Sequence, residues 1–225
     1  MIWLWIALGA LAVVALGLFL YWALWITEGA YLGRWIVTLI YDLTPGYYDR
    51  IKEITWQRDA DNLAEPMLAR LEGVSTPLIL DVGTGTGRFP LAMLSDERFE
   101  GRVWGVDLSI GMLRRARERL EPYGERCTLI WEDADGLPFC DETFDAVACL
   151  ETLEFTPDPL RTLSELMRVL RPGGVLLMTN RIGRARWFPG RTYDDETLID
   201  LTGDAVPSLV DPGLVPEPEA TPGVG

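Results

Sequence analysis

A glycine-rich turn after a short apolar run constrains the fold of this chain more than any other stretch. Residues 78–89 read LILDVGTGTGRF. The run Leu78–Leu80 predicts a buried parallel strand. Glycines at every second position from 83 to 87 predict a tight strand-to-helix turn in which the backbone closely approaches a ligand. Arg88 stands where a dinucleotide fingerprint has its third glycine, which disfavours a nicotinamide-dependent reductase.

The rest of the chain supports a parallel sheet built around this turn. Strands and helices alternate from Leu78 onward, so we expect an α/β fold, a Rossmann-like parallel sheet with helices on both faces. The predicted strands are Leu78–Leu80, Val103–Val106, Cys127–Trp131, Phe144–Cys149 and Val175–Thr179. The patterns also predict that Ser109 and Asp158 cap the N-termini of two of the helices.

Acidic residues close the first strands of this predicted sheet. Asp81 precedes the first glycine by two positions, where a carboxylate repels a pyrophosphate but suits a ligand with a cationic amine. Asp107 follows Gly83 by 24 residues and ends the next strand. A carboxylate in that place can accept hydrogen bonds from both hydroxyls of a ribose.

Three motifs together resemble the class I S-adenosylmethionine-dependent methyltransferases of the quinone-biosynthesis type. They are D-x-G-x-G-x-G at 81–87, LPF-x-D-x-x-F-D at 137–145 and RVLRPGG at 168–174. The resemblance covers roughly residues 47–181 and implies S-adenosylmethionine as cofactor. It implies that Asp81 and the glycine loop hold the methionine end, that Asp107 binds the ribose and that Asp133 accepts the adenine amino group. The implied cofactor-binding residues are Asp81, Gly83, Thr84, Gly85, Gly87, Asp107, Leu108, Asp133, Ala134 and Cys149.

The segment before the sheet predicts a membrane anchor. Residues 2–26 contain no charged side chain, and at ~1.5 Å per residue they make ~37 Å of helix, enough to span a bilayer with some tilt. Tryptophan and tyrosine lie near both ends, as in the aromatic belts of membrane spans. A cleaved signal peptide is the alternative, but the segment has neither a basic start nor a small-residue cleavage site.

The flanks of this span predict its orientation. Arg34, Arg50 and Lys52 follow it and no basic residue precedes it, so the positive-inside rule places the C-terminal domain in the cytoplasm. A second apolar pattern at helical spacing runs from Tyr31 to Leu43. Two interpretations stay open for it: a helix lying at the membrane interface, or a helix packed on the soluble domain.

These patterns divide the chain into four parts: a transmembrane helix at 1–27, interfacial or linker helices at 28–56, a methyltransferase domain at 57–202 and an acidic, proline-rich tail at 203–225. The resembling family usually completes its sheet with a C-terminal antiparallel pair of strands. Prolines in the tail disfavour such strands, so we expect them to be missing. The net charge of −14 disfavours nucleic acid as a partner. The absence of histidine excludes histidine-based metal sites and acid–base schemes, and we expect no metal.

The sequence therefore predicts methyl transfer to a small, hydrophobic acceptor, quinone-like or lipid-like, at the cytoplasmic face of a membrane. The methyl donor is already activated, so the protein mainly supplies proximity and orientation. A phenol or carbon acceptor needs a base, and Glu151, Glu154 and Asp49 are the candidates. The alternative is a protein that binds S-adenosylmethionine without turnover, which the proline-rich ending favours.

Overall fold

Five parallel strands form the centre of the molecule. The structure, a computed structural model, describes residues 1–44, 46 and 59–178. The strands are β1 (Leu78–Val82), β2 (Arg102–Asp107), β3 (Cys127–Trp131), β4 (Phe144–Cys149) and β5 (Leu170–Met178). They lie in the order β3-β2-β1-β4-β5, and every neighbouring pair is parallel. The predicted Rossmann-like parallel sheet is confirmed.

Six α-helices accompany the sheet in the described part of the chain. They are α1 (Ile2–Tyr21), α2 (Arg34–Leu43), α3 (Glu65–Arg70), α4 (Arg88–Leu94), α5 (Ile110–Leu120) and α6 (Pro159–Val169). Both predicted caps are confirmed. Ser109 accepts a hydrogen bond from the backbone of Met112 at the start of α5, and Asp158 accepts one from Arg161 at the start of α6. These bonds satisfy backbone donors that a helix N-terminus leaves unpaired.

The side chains of β1 alternate between two hydrophobic cores. Ile79 is buried in one core with residues of α3, α4 and α5, whereas Leu80 and Val82 are buried in the other with residues of α6. This alternation follows from the two-residue period of a strand. Because both faces of the sheet are covered, β1 has to be apolar almost throughout, as its sequence is.

β5 begins five residues earlier than the sequence predicts. Phe144 pairs with Leu170, and the regular register resumes only at Ala146 and Val175, so the segment 171–174 forms an irregular insertion in the strand. The Arg171 guanidinium pairs with Asp145, and the other Asp145 carboxylate oxygen accepts the backbone N–H of Leu78 at 2.8 Å. Asp145 therefore supports the sheet.

α1 stands apart from both cores. None of its residues is buried, and together with the adjoining turn it makes a 23-residue apolar helix, Ile2–Leu24, that is long enough to cross a bilayer. A signal sequence near the N-terminus meets the same test. Several predictions lie outside the described residues. They concern Asp49 and the other residues at 47–58, the missing antiparallel strands and the acidic tail.

Candidate functional site

The glycine loop after β1 is wedged between two neighbouring loops. The backbone N–H groups of Gly83 and Thr84 donate to the Val106 carbonyl at 2.8 and 3.0 Å. On the other side Thr152 lies so close that a Cβ at Gly83 would be 2.0 Å from its hydroxyl oxygen. The φ of Gly83 is +73°, which favours glycine. The close approach and the backbone conformation together make glycine necessary there.

The next two glycines of the loop have different surroundings. A Cβ at Gly85 would meet no protein atom nearer than 4.0 Å, so open space lies beside this residue. A Cβ at Gly87 would lie 2.7 Å from the Leu120 side chain of α5. Gly85 thus leaves room for a ligand, whereas Gly87 lets the loop pack closely against a helix, the role of the third glycine in dinucleotide turns.

Asp107 at the end of β2 is the carboxylate most directly placed in the site. One carboxylate oxygen accepts the N–H of Gly85 and the other that of Ser109, each at 2.8 Å. Burial raises the pKa of Asp107 to about 6, although these backbone hydrogen bonds act in the opposite direction. Each oxygen keeps a free lone pair, which fits the predicted pair of ribose hydroxyls.

Asp81 lies below the loop instead of in the cavity. Its side chain is 2% exposed. Burial raises its pKa to about 7, and the negative charge of nearby Asp107 acts in the same direction. The loop thus lies over a carboxyl that ionises near neutral pH, and a cationic ligand group would favour its charged form.

Asp133, which follows β3, faces a partner from far away in the chain. Its Oδ2 accepts a hydrogen bond from Arg34 of α2 at 2.5 Å, and its Oδ1 accepts the N–H of Asp135 at 3.2 Å. Both members of the ion pair are partly exposed, with 41% and 26% of the side chains accessible, so solvent screens the pair. Its main consequence is geometric, because it fixes α2 beside the predicted adenine position.

A second contact holds the C-terminal end of α2 against the start of α5. Oδ1 of Asp42 accepts hydrogen bonds from the Ser109 hydroxyl at 2.6 Å and from the Gly111 backbone at 2.8 Å, at the N-terminus of α5. A Cβ at Gly111 would lie 2.8 Å from the Cα of Asp42, so the two backbones pack closely there. α2 therefore bridges the loops that follow β2 and β3.

α2 closes one side of a cavity at the carboxyl edge of the sheet, and this cavity is open to solvent. Its contribution is a face of four residues at helical spacing: Arg34, Val37, Thr38 and Tyr41. The Tyr41 hydroxyl donates to Glu28 at 2.5 Å, and its ring meets Phe155 edge-on at 5.9 Å. The other lining residues are Val82, Gly83, Gly85, Val106, Asp107, Leu108, Ser109, Met112, Glu132, Asp133, Ala134, Leu150, Glu151, Thr152, Phe155, Thr156 and Pro157.

The structure brings together most of the residues predicted from the sequence. Of the predicted cofactor residues, those that line the cavity are Gly83, Gly85, Asp107, Leu108, Asp133 and Ala134. Asp81, Thr84, Gly87 and Cys149 do not line it, and their contact with a cofactor stays a prediction. Of the candidate bases, Glu151 lines the cavity and Glu154 is buried outside it. Burial raises the pKa of the Cys149 thiol, and the negative charge of Glu154 raises it further.

The face of α2 that lines the cavity was not predicted from the sequence. Arg34, Thr38 and Tyr41 recur at i, i+4 and i+7, so a polar face opposite the apolar one was visible in the chain. That spacing indicates that the helix has a polar side as well as an apolar side. It could not have shown what the polar side contacts.

Comparison with known proteins agrees with this geometry. Residues 80–178 match the family described as a methyltransferase domain. Residues 80–178 therefore carry a class I S-adenosylmethionine-dependent methyltransferase domain. The chain is 44% identical over 98 residues to a demethylmenaquinone methyltransferase of Symbiobacterium thermophilum, covering 43% of this chain and 39% of that protein. It is 40% identical over 110 residues to a phosphatidylethanolamine N-methyltransferase of Cereibacter sphaeroides, covering 47% and 51%.

A solved structure shows the same fold with the cofactor bound. Phosphoethanolamine N-methyltransferase 2 of Haemonchus contortus, in complex with S-adenosyl-L-methionine, superposes with a TM-score of 0.52 at 25% identity. The match covers 63% of this chain and 35% of that one. The chain spans about half or less of the length of these three proteins.

The methyltransferase site of this chain fits S-adenosylmethionine. Gly85 leaves open space where a side chain would stand, at the border of the cavity that it lines. Asp107 offers free lone pairs in the cavity. Asp81, beneath the glycine loop, supplies a carboxyl that a cationic group would ionise.

Proposed function

We propose that this protein transfers a methyl group from S-adenosylmethionine to a small, hydrophobic acceptor at the cytoplasmic face of a membrane. One observation carries the proposal. The cavity is bounded on one side by the methyltransferase loops and on the other by α2, the helix that follows a span-length apolar helix. The site and the candidate anchor are therefore neighbours in the structure as well as in the chain.

The methyltransferase loops form the cofactor half of the site. Gly83 and Gly85 would let the methionine end of the cofactor approach the backbone. Asp107 would accept hydrogen bonds from the ribose hydroxyls, and Asp133 would accept one from the adenine amino group. Leu108 and Ala134 line the cavity beside these two carboxylates. Bound S-adenosylmethionine supplies a methyl group that is already activated on a sulfonium, so the protein contributes chiefly proximity and orientation.

The α2 side of the cavity supports a hydrophobic acceptor. Val37 and the rings of Tyr41 and Phe155 give this side an apolar surface. Two relatives are named for demethylmenaquinone and for phosphatidylethanolamine, and both compounds are lipids. A quinone-like or lipid-like acceptor fits both observations.

Glu151 is the candidate base where the acceptor has to lose a proton. Of the two candidates that the structure describes, Glu151 lines the cavity, whereas Glu154 is buried outside it. The φ of Glu151, +51°, is uncommon for a residue with a side chain, and such backbone conformations cluster at functional sites. We expect Glu151→Gln to lower kcat more than it changes the affinity for S-adenosylmethionine.

α1 supports the membrane location. Its apolar window is not buried against the rest of the described chain, and Arg34 follows it on the side that the positive-inside rule assigns to the cytoplasm. We propose a single-pass protein with its methyltransferase domain in the cytoplasm.

Two measurements on the full chain in detergent test the proposal. Isothermal titration with S-adenosylmethionine, its demethylated product and NADH identifies the cofactor, and binding of NADH alone would refute it. Incubation with membrane lipid extract and methyl-labelled cofactor then follows transfer. We expect label in a lipid fraction. Tight cofactor binding without any transfer would instead assign a binding protein without turnover.

A further inference from the structure

The side of α2 that faces away from the cavity is apolar and uncovered. Trp35, Leu39 and Leu43 recur every four residues and are 70%, 52% and 73% exposed. We call these three residues the outer face of α2. A soluble helix normally presents polar residues to water, so a contiguous apolar stripe of this kind marks a contact surface.

Both charged residues of α2 are turned toward the methyltransferase domain. Arg34 pairs with Asp133, and Asp42 accepts hydrogen bonds at the start of α5. The Arg34 guanidinium also lies over the Trp35 ring, 5.4 Å from its centroid, so this charge lies at the border of the outer face. The helix therefore has the cavity on one side and an uncovered apolar stripe on the other.

Two further exposed apolar side chains lie at the same edge of the sheet as α2. Ile110 is 52% exposed and begins α5, directly before Gly111, which donates its backbone N–H to Asp42. Trp131, 57% exposed, ends β3 and donates its indole N–H to the carbonyl of Leu108. Both lie at the carboxyl edge of the sheet, where the cavity opens. Val74, which is 42% exposed, precedes β1 and lies at the opposite edge.

The segment 27–33, which connects α1 to α2, forms a packed corner. Seven residues, 27–33, separate the turn after α1 from α2. The buried Thr27 donates its hydroxyl to the Ala23 carbonyl at 2.9 Å, and Trp22 stacks on Tyr31 at 5.2 Å. At Gly29 a Cβ would lie 3.0 Å from Ile40 of α2. A corner packed in this way sets the direction in which α2 leaves α1.

We propose that the outer face of α2, together with Ile110 and Trp131, rests on the bilayer surface, so that the open edge of the cavity faces the membrane. The inference rests on the membrane attachment in the proposed function and adds an orientation to it. A helix that follows a span after a short packed corner starts near the headgroups, and apolar faces of interfacial helices enter the headgroup and acyl boundary. The surface itself carries no basic residue, so apolar insertion holds it there without requiring anionic lipid.

Spin labels on the full chain in phosphatidylcholine nanodiscs test this orientation. The exposed native Cys140 is first replaced by serine, and the spectrum of this background protein is subtracted. Single labels are then placed by Leu39→Cys and Ile110→Cys, with Val74→Cys as the exposed apolar control at the opposite edge. Leu11→Cys, in the middle of α1, reports on the span itself. Power saturation compares collisions with oxygen, which is enriched in lipid, and with a water-soluble nickel complex.

We expect oxygen to dominate at positions 39 and 110 and the nickel complex at position 74. Nickel dominating at position 39 would overturn the inference. Protection of position 39 from both reagents, with dipolar broadening between labels, would also overturn it, because a second copy of the chain would then cover the face. Oxygen dominating at position 11 with nickel dominating at 39 leaves the anchor intact and refutes only the orientation. Titration of S-adenosylmethionine into the same nanodiscs tests the cofactor separately.

Discussion

Replacing Asp81 by asparagine should stabilise the ligand-free protein at alkaline pH. Asp81 is almost fully buried below the glycine loop, and burial raises its pKa to about 7. In the unfolded chain the same carboxyl loses its proton near pH 3.8. Between these two values the folded protein holds a proton that the unfolded chain has released, so folding stability falls as the pH rises through this window.

The size of the effect follows from the two pKa values. At about 1.4 kcal/mol for each pH unit, a rise from 3.8 to about 7 corresponds to roughly 4 kcal/mol lost by the time the carboxyl is charged. Asparagine has nearly the same shape and never ionises. Because its amide is also polar and buried, we expect the variant to recover about 1–3 kcal/mol of this loss.

Thermal unfolding of the full chain in detergent checks this prediction. At about pH 5 the folded protein holds Asp81 neutral while the unfolded chain has released the proton, so only part of the stability is lost. Wild type and Asp81→Asn should then unfold within a few degrees of each other. At about pH 8 the variant should unfold at a temperature several degrees higher, since about 1 kcal/mol shifts the midpoint of a domain of this size by about 2–4 °C.

Asp145→Asn is the matched control. It makes the same chemical change, but Asp145 pairs with Arg171 and accepts the N–H of Leu78. This control should therefore lower the unfolding temperature at about pH 8 by removing a favourable interaction. If Asp81→Asn also destabilised the protein at alkaline pH, or if its effect did not change with pH, the reasoning about a buried charge would be refuted.

Three further predictions concern the site and the anchor. Asp107→Ala should weaken S-adenosylmethionine binding by ~1–3 kcal/mol, because the ribose hydroxyls lose a charged acceptor; unchanged affinity by calorimetric titration of a folded variant would contradict the ribose assignment. Gly87→Ala should destabilise the fold more than Gly73→Ala, since both have positive φ but only the first places a Cβ 2.7 Å from Leu120, and equal thermal shifts would argue against this close packing. Deleting residues 1–21 should abolish resistance to alkaline carbonate extraction while cofactor binding persists, and a deleted protein that still resists extraction would point to a different anchor.

The sequence predicted the parts of the fold that local patterns determine. The apolar run of β1, the glycine turn and the caps Ser109 and Asp158 each depend on neighbours within a few positions. The parallel topology adds one further prediction, because parallel strands bring their carboxyl ends to one edge of the sheet. Asp107 ends β2 and Asp133 follows β3, so this topology places both at that edge; the role of Asp133 itself came from the family resemblance.

The remaining features depend on contacts between distant segments. Arg34 and Asp133 are 99 positions apart, and Asp42 lies 67 and 69 positions from its partners. The apolar pattern from Tyr31 to Leu43 left a membrane helix and a packed helix as alternatives, because it describes only one side of α2. The structure confirms packing on the domain and leaves the apolar side uncovered, so the two interpretations are compatible. Similarly, the spacing of the glycines could not show that Gly87 packs on a helix while Gly85 faces open space.

The division of the cavity between two segments limits what the relatives can say about the acceptor. The methyltransferase domain match begins at residue 80, so it contains the glycine loop, Asp107 and Asp133 but not α2. The α2 wall of the cavity, with Val37, Thr38 and Tyr41, lies before the matched segment. Chemistry common to the family therefore resides in the matched loops. Arg34 and Asp42 hold α2 against this matched segment, and the apolar side of the helix stays exposed.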